Sequence, residues 1–468
     1  MKWTNMTNSR GKGLVVKVCD AIMGSGKSQA AIRYMNEHPD QKFVYVTPYL
    51  AECARICEAC PELNFVEPER KPRHRYSKLE HTAELLKRGE NIATTHTAFK
   101  FYMPDMIEAI REHRYTLIID EALEVFQEAK ISRGDVEMLR KIGYLKEEGG
   151  RTYWDGSAYT GVRLRDVSRM LQSRNLMMVG DDRKDPKFFF WTIAPTVLMH
   201  FSEVIVLTYL FESQDFWYYL NTNGVPYKYI GIHRDEGEGP DVYRFVDEPD
   251  YVPDYVYRIR EVLHVCEEHE MNRYAKDETA MSTNWFRTHR RQQEYMRRHM
   301  NTFCRSRCKA KSGDIMWSCY KSQEKYFETP GFRSNMVPFN TKASNEYRNR
   351  FALAYMLNAY PQPWIGKYLE TFGLTYDEDG YALSNMIQWI WRSAIRDGKE
   401  VWLYLPSSRM RRLLNEWMDG LERGDTTWRQ RKGSREWGTH IFLPEDDTMS
   451  TMCENTINMM PTLAAAGM

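Results

Sequence analysis

Lys27 and Ser28 end the run AIMGSGKS (Ala21–Ser28), and Asp120 and Glu121 end the apolar run YTLIIDE some ninety residues later. An ammonium, a hydroxyl and two adjacent carboxylates are the groups that phosphoryl transfer needs. The glycines let backbone N–H groups curl round an anion, and a helix N-terminus adds its partial positive charge. In this reading Gly24, Ser25, Gly26, Lys27 and Ser28 bind the nucleotide, with Lys27 reaching the β/γ-phosphates. The Ser28 hydroxyl and Asp120 hold Mg2+, and Glu121 polarises the attacking water. The cofactors expected are ATP and Mg2+. The run departs at one place from the pattern G-x-x-x-x-G-K-[ST], since its first position is Ala21.

These residues work only if a fold delivers them to one place. LVVKVC (Leu14–Cys19) is β-rich and the residues from Gln29 to Asn36 read as the first turns of a helix, so the glycine turn sits between strand and helix. KFVYVTPYLAECARIC (Lys42–Cys57) reads as a strand, the pair Thr47-Pro48, then a helix. NIATTHTAFKFY (Asn91–Tyr102) is a strand ending at Thr95 and His96, and YTLIIDEALEVF is an apolar strand with the two acids at its C-terminal end. Strands alternating with helices predict an α/β fold with parallel sheets and ligands at the strand ends.

Composition narrows the class. The chain has 468 residues, 65 Lys+Arg against 64 Asp+Glu, so any nucleic-acid surface must be a local patch. One exists: RTHRRQQEYMRRHMNTFCRSRCKAK (Arg287–Lys311) carries nine Lys/Arg against one Glu, with Trp285, Tyr295, Phe303 and Trp317 in or beside it. Cations release counterions from phosphates and aromatic rings stack on bases, which makes Arg290, Arg291, Arg297 and Arg298 candidate nucleic-acid contacts; a solvated helix face is the alternative. No apolar run reaches the length of a membrane span, and MKWTNMTNSRGKG at the start lacks the apolar core of a signal peptide. The nine cysteines include two trios, Cys53/Cys57/Cys60 and Cys304/Cys308/Cys319, each one thiolate short of an iron–sulfur ligand set. The expectation is a cytoplasmic protein, in a host cell if viral.

With these motifs in hand, the first half resembles superfamily 2 helicases, whose phosphate loop commonly reads A-x-x-G-x-G-K-[ST] and whose second motif is D-E-x-x, here DEAL. VIVLTYLFES (Val204–Ser213) is placed like the third motif, DETAMSTNWF (Asp277–Phe286) like the fourth, and PFNTKASNEYRNR (Pro338–Arg350) like the fifth. The resemblance implies two tandem RecA-like domains and nucleic-acid contacts from Thr47, Pro48, Thr95, His96, Thr341 and Lys342. Gln388, Arg392 and Arg396 in QWIWRSAIR resemble the sixth motif, one residue wider than usual and without its glycine. At i, i+4 and i+8 they are expected on one helical face, with Arg396, or Arg392 beside it, acting as the arginine finger. The pattern is most similar to replication helicases of viruses, including bacteriophages.

The organisation expected is a disordered leader over 1–13, a first domain over 14–210 with an insertion at about 130–187, a second domain over 211–423, and a polar tail over 424–468. The function expected is an ATP-dependent helicase or translocase on single-stranded or forked DNA, able to act as a monomer, with other replication proteins as candidate partners. Two alternatives stand: an origin- or fork-recognition protein switched by ATP, and the packaging ATPase of a terminase.

Overall fold

A computed structural model describes residues 14–428, except 70–76, 103, 130, 144, 149–150, 155–175, 180–187, 236, 238–240 and 341–345. The expected leader, Thr341, Lys342 and most of the expected tail therefore lie outside the described residues.

The strands in chain order are β1 (Val16–Asp20), β2 (Phe43–Thr47), β3 (Ile92–Thr95), β4 (Thr116–Asp120), β5 (Gln127–Glu128), β6 (Leu145–Glu148), β7 (Arg151–Trp154), β8 (Leu176–Val179), β9 (Phe188–Trp191), β10 (Glu203–Thr208), β11 (Tyr227–Asp235), β12 (Val242–Val246), β13 (Leu263–Val265), β14 (Ile315–Ser318), β15 (Ala352–Tyr355) and β16 (Val401–Tyr404). They form three sheets, and the molecule is a mixed α/β protein with two parallel-stranded sheets.

The first sheet has the order β12-β11-β1-β10-β4-β2-β3, parallel except for β12, which runs antiparallel to β11. Its strands are apolar at successive positions because both faces are covered. Val16, Val18, Val44, Val46, Leu117, Ile119, Val204 and Val206 fill the core on one face. Cys19, Phe43, Tyr45, Ile118, Ile205 and Leu207 face the other, against Ala30, Ala31 and Met35 of helix α1 (Lys27–Asn36). The period of two along each strand sorts one set of side chains to each layer. Each fully buried aliphatic stabilises the layer by about 1.5–3 kcal/mol.

The second sheet, β13-β16-β15-β14, is parallel throughout. Leu353, Tyr355, Leu403 and Leu405 pack on the helices Glu378–Ile390 and Ser408–Glu422. Ala352, Ala354, Ile315 and Trp317 face Met296 and Met300 of the helix Arg290–Asn301. The third sheet, β5-β9-β8-β7-β6, is antiparallel and falls in and around the stretch read as an insertion.

One strand pairs differently from the sequence reading. The second domain is expected from residue 211 on, but β11, which begins at Tyr227, pairs with β1 in parallel. Ile230 and Ile232 supply the reason, since they complete the apolar layer that covers α1. The two halves also share cores: Ile365, Tyr368, Leu369 and Tyr376 join the first-sheet cluster, while Ile22, Tyr209 and Leu210 join the second.

Candidate active site between the two sheets

The glycine turn runs from the end of β1 into α1. Gly24 and Gly26 have φ of +75° and +82°, in the left-handed region that suits glycine. Gly26 caps α1, so Lys27 and Ser28 open the helix with their N–H groups uncommitted to the preceding turn. Tyr243 of β12 packs its ring so closely that a Cβ on Gly26 would lie 2.3 Å from it, and Tyr255 lies against Gly24. The Tyr255 hydroxyl donates to the Met23 carbonyl, and its ring meets Trp391 at 5.5 Å. One aromatic side chain thus braces the loop against the second half of the chain.

Lys27 Nζ donates to the carbonyls of Ala21 (2.5 Å) and Ile22 (3.0 Å). Burial pushes its pKa down, opposed by the negative fields of Cys19, Glu121, Asp120 and Asp20. The side-chain oxygen of Ser25 is buried beneath the loop with no hydrogen-bond partner. These are the properties of a cradle for a polyanion: a partly buried cation, glycine backbone and an orphan hydroxyl.

Asp120 ends β4, separated from β1 by β10 alone. Tyr45 donates its hydroxyl to Asp120 Oδ2 (2.9 Å), and His96 Nε2 donates to the Asp120 carbonyl (2.9 Å). Burial, with Glu121 next to it, raises the Asp120 carboxyl to about 6. Glu121 has φ +62°, a conformation costing an ordinary residue about 1–2 kcal/mol, and its N–H is fixed to Leu207 of β10 (2.9 Å). A strained carboxylate beside a buried one, facing a lysine, is an arrangement that a divalent cation would relieve. Ser28 opens α1 and Asp120 ends β4; Mg2+ takes one or two protein ligands and completes its shell with phosphates and water. Among the described residues no group of three or more His, Cys, Asp or Glu is arranged to hold a metal by itself; burial pushes the Cys53 thiol up to about 12 and Cys60 to about 11.

The second half contributes Arg392. The expected continuous helical face through 388, 392 and 396 is not formed, because the helix ends at Ile390 with Trp391 as its cap. Ser393 turns extended, and its hydroxyl donates to the Ile390 carbonyl (2.6 Å), closing the helix end. Arg396 lies beyond, on the short turn Ala394–Asp397, and is exposed. Arg392 is 4% exposed and lies in the field of Glu121 and of Tyr49 and Tyr347, opposed by the nearby Arg396. Its Nε and one Nη are buried with no hydrogen-bond partner, and burial lowers its pKa to about 10. Gln388 Nε2 donates to Ser384 (3.2 Å), which also accepts from Gln214 (3.4 Å), a residue that takes a bond from Thr208 at the end of β10 (2.8 Å).

The expected nucleic-acid residues separate. Thr47 is fully buried at the end of β2, so its side chain is withdrawn from any surface contact. Pro48 is partly exposed beside it. Thr95 caps the following turn through Ala98 N–H (3.4 Å), and His96 is engaged with Asp120. Arg297 and Arg298 both pair with Glu294, holding its carboxyl down at about 2; Arg290, Arg291 and Arg298 are exposed. Tyr45, Tyr49, Tyr243 and Tyr255 were missed by the sequence reading. A tyrosine inside the aliphatic run FVYVT was a usable signal, because a buried hydroxyl needs a partner.

Over 417 residues the chain is 32% identical to the SPbeta prophage-derived uncharacterized protein YonV of Bacillus subtilis (strain 168), an alignment covering 86% of this chain and 98% of that one. The chain belongs to the YonV family. Residues 257–418 also match the model of the YonV C-terminal Rossmann-like domain, the stretch that contains the second sheet and Arg392. Solved structures resembling it include an XPD helicase (10% identity, 86% of this chain and 94% of that chain, TM-score 0.41), an apo form of XPD (13%, 86% and 95%, TM-score 0.38) and S. tokodaii Xpd4 (11%, 86% and 94%, TM-score 0.40). These likenesses are loose, and the chemistry of this family member rests on its own side chains.

Proposed function

We propose that the chain is an ATP-dependent nucleic-acid translocase or helicase of superfamily 2 type, phage-encoded like its named relative, hydrolysing ATP between its two parallel sheets. One observation carries the reading. A buried arginine with unpartnered nitrogens, from the second half, lies in the field of Glu121, the residue that follows β4 of the first half. A fixed cation held out of water is worth most where charge develops during phosphoryl transfer.

In this mechanism the Gly24–Ser28 backbone and Lys27 bind the triphosphate. Ser28 and Asp120 hold Mg2+, whose chemistry when bound is to neutralise the phosphate charge. Glu121 orients and polarises the attacking water, and Arg392 takes the finger role that the sequence reading gave first to Arg396. Hydrolysis removes the group that Arg392 meets, so the nucleotide state sets how firmly the halves are drawn together. Arg290 and Arg291 are the exposed cations proposed to follow the nucleic-acid backbone, with DNA the proposed track and replication or recombination the proposed setting.

The test is steady-state ATP hydrolysis with and without single-stranded DNA or RNA, in wild type and Lys27→Ala. Stimulation by one polymer, lost in the variant with its circular dichroism unchanged, supports the motor and names its track. Hydrolysis indifferent to both polymers returns the protein to an ATP-switched binder, and normal turnover in Lys27→Ala removes the phosphate loop.

A further inference from the structure

The sheet order fixes which way a bound nucleotide must run. β4, with its acidic end, lies two strands to one side of β1, and β12 lies two strands to the other. At about 4.8 Å per strand each is roughly 10 Å from the loop. Phosphates that meet Lys27 and Asp120 point to the β4 side, so the nucleoside leaves toward β11 and β12. A cavity of about 710 Å3 opens there, lined by His233, Arg234, Asp250, Tyr251, Asp254 and neighbours. That volume suits a ligand of nucleoside size.

The cavity is joined to the loop by contact. Tyr243, whose ring covers Gly26, meets Tyr251 at 5.7 Å between centroids, and Arg234 lies over the Tyr251 ring at 5.5 Å. Its wall is pinned to the phosphate-binding helix, since Arg33 of α1 bonds Asp235 (2.9 Å), which also takes Arg244 (3.1 Å) and His233 (3.2 Å). The lining holds Asp235, Asp250 and Asp254 beside Arg234 and His233; His233 bonds Asp250 (2.6 Å) and Arg234 bonds Asp241 (2.9 Å), which leaves Asp254 and the second oxygen of Asp250 toward the cavity's ligand. Carboxylates repel a nucleic-acid backbone but accept from ribose hydroxyls and from an exocyclic amine, while a tyrosine ring and a guanidinium plane stack on a base.

We infer that this cavity is the nucleoside subsite, with the adenosine of ATP stacked on Tyr251 and its hydroxyls and amine met by the aspartates. The inference rests on the ATPase reading and adds to it the residues that tell a nucleotide from bare triphosphate.

The experiment is calorimetric titration of the full chain with ATP, UTP and inorganic tripolyphosphate in Mg2+ buffer, for wild type, Tyr251→Ala, Tyr251→Phe and Lys27→Ala. Wild type binds ATP about tenfold more tightly than tripolyphosphate, the scale of one stacked base, with UTP between them. Tyr251→Ala loses that increment and keeps its tripolyphosphate affinity, and Tyr251→Phe restores the increment. Equal ATP and tripolyphosphate affinities in wild type overturn the subsite while leaving the phosphate loop standing, as does a Tyr251→Ala variant that keeps the full increment. Equal losses for both ligands in Tyr251→Ala make Tyr251 a structural residue and overturn the subsite too. Wild type that binds none of the three removes the ATPase reading itself.

Discussion

Arg392→Met separates a functional cation from a structural one, because the two roles predict opposite changes in stability. The guanidinium's pKa falls from 12.5 to about 10 through burial, with only partial relief from Glu121. At 1.36 kcal/mol per unit, its charge is uncompensated by about 3 kcal/mol in the folded protein. The sign follows from linkage: the folded state disfavours the protonated form, and at pH 7 both folded and unfolded chains are protonated, so the full cost is present. Two buried N–H donors without partners point the same way, each costing about 1–3 kcal/mol. Methionine fills a similar volume without the charge and should stabilise the fold by about 1–3 kcal/mol, a gain that replacement of buried ion groups by apolar residues has precedent for. Turnover should fall about 10³-fold or more, the scale of a lost arginine finger. Arg396→Ala, at an exposed site, should change turnover by less than about tenfold and stability by less than about 0.5 kcal/mol. Urea unfolding and steady-state ATP hydrolysis on the same preparations decide it. An Arg392→Met variant that is destabilised, or that turns over within tenfold of wild type, refutes the assignment; so does a larger kinetic loss at Arg396.

Two further outcomes follow from the same geometry. Asp120, raised to about 6, binds its proton more tightly folded than unfolded, so its contribution to stability is greatest below about pH 4 and is lost as pH rises through 6. Asp120→Asn should accordingly raise the melting temperature at pH 8 and leave it nearly unchanged at pH 4, while impairing Mg2+-dependent turnover; thermal scans at the two pH values read the first part and the turnover assay the second. Arg290→Gln with Arg291→Gln should lower the slope of log affinity against log salt by up to about 2 for duplex or about 1.4 for single strands, one contact per arginine. Arg297→Gln with Arg298→Gln should lower it less, since Glu294 already neutralises part of their charge, and an anisotropy salt titration that finds the reverse order would place the track on the other end of the helix.

The legible parts of the molecule were those encoded over short distances. The β-rich run, two glycines and Lys27-Ser28 form one continuous strand–turn–helix, so their meaning is local, and the apolar run into Asp120-Glu121 is local too. Alternating strand and helix patterns were enough for an α/β fold with parallel sheets. What escaped was made by distant chain. Tyr243 and Tyr255 reach the phosphate loop from more than two hundred residues away, and nothing in VYRFV or DYVYR announces it. The strand at Tyr227 carries the same β-rich pattern whichever sheet it joins; only Ile230 and Ile232 meeting α1 decides. The end of the helix at Ile390 was hidden because Trp391, Arg392 and Ala394 continue a helical pattern, while the bond from Ser393 to the Ile390 carbonyl stops it.

The strand order has a consequence for how this protein is made. β1 emerges first from the ribosome, yet its hydrogen-bonding neighbours on both sides, β10 and β11, are residues 203–208 and 227–235, and the ring that presses on Gly26 belongs to residue 243. At 5–20 residues per second, about ten to forty seconds pass between the synthesis of the loop and that of the chain that shapes it. Through that interval the nascent β1 is an unpaired strand with three fully buried side chains still in water, a segment for a chaperone to hold. A ribosome-bound chain stalled before residue 246 would carry the whole phosphate-loop motif and still lack the wall behind it. On the proposed ATPase reading, nucleotide capture becomes possible only once about half of the chain has been made, when the first sheet closes.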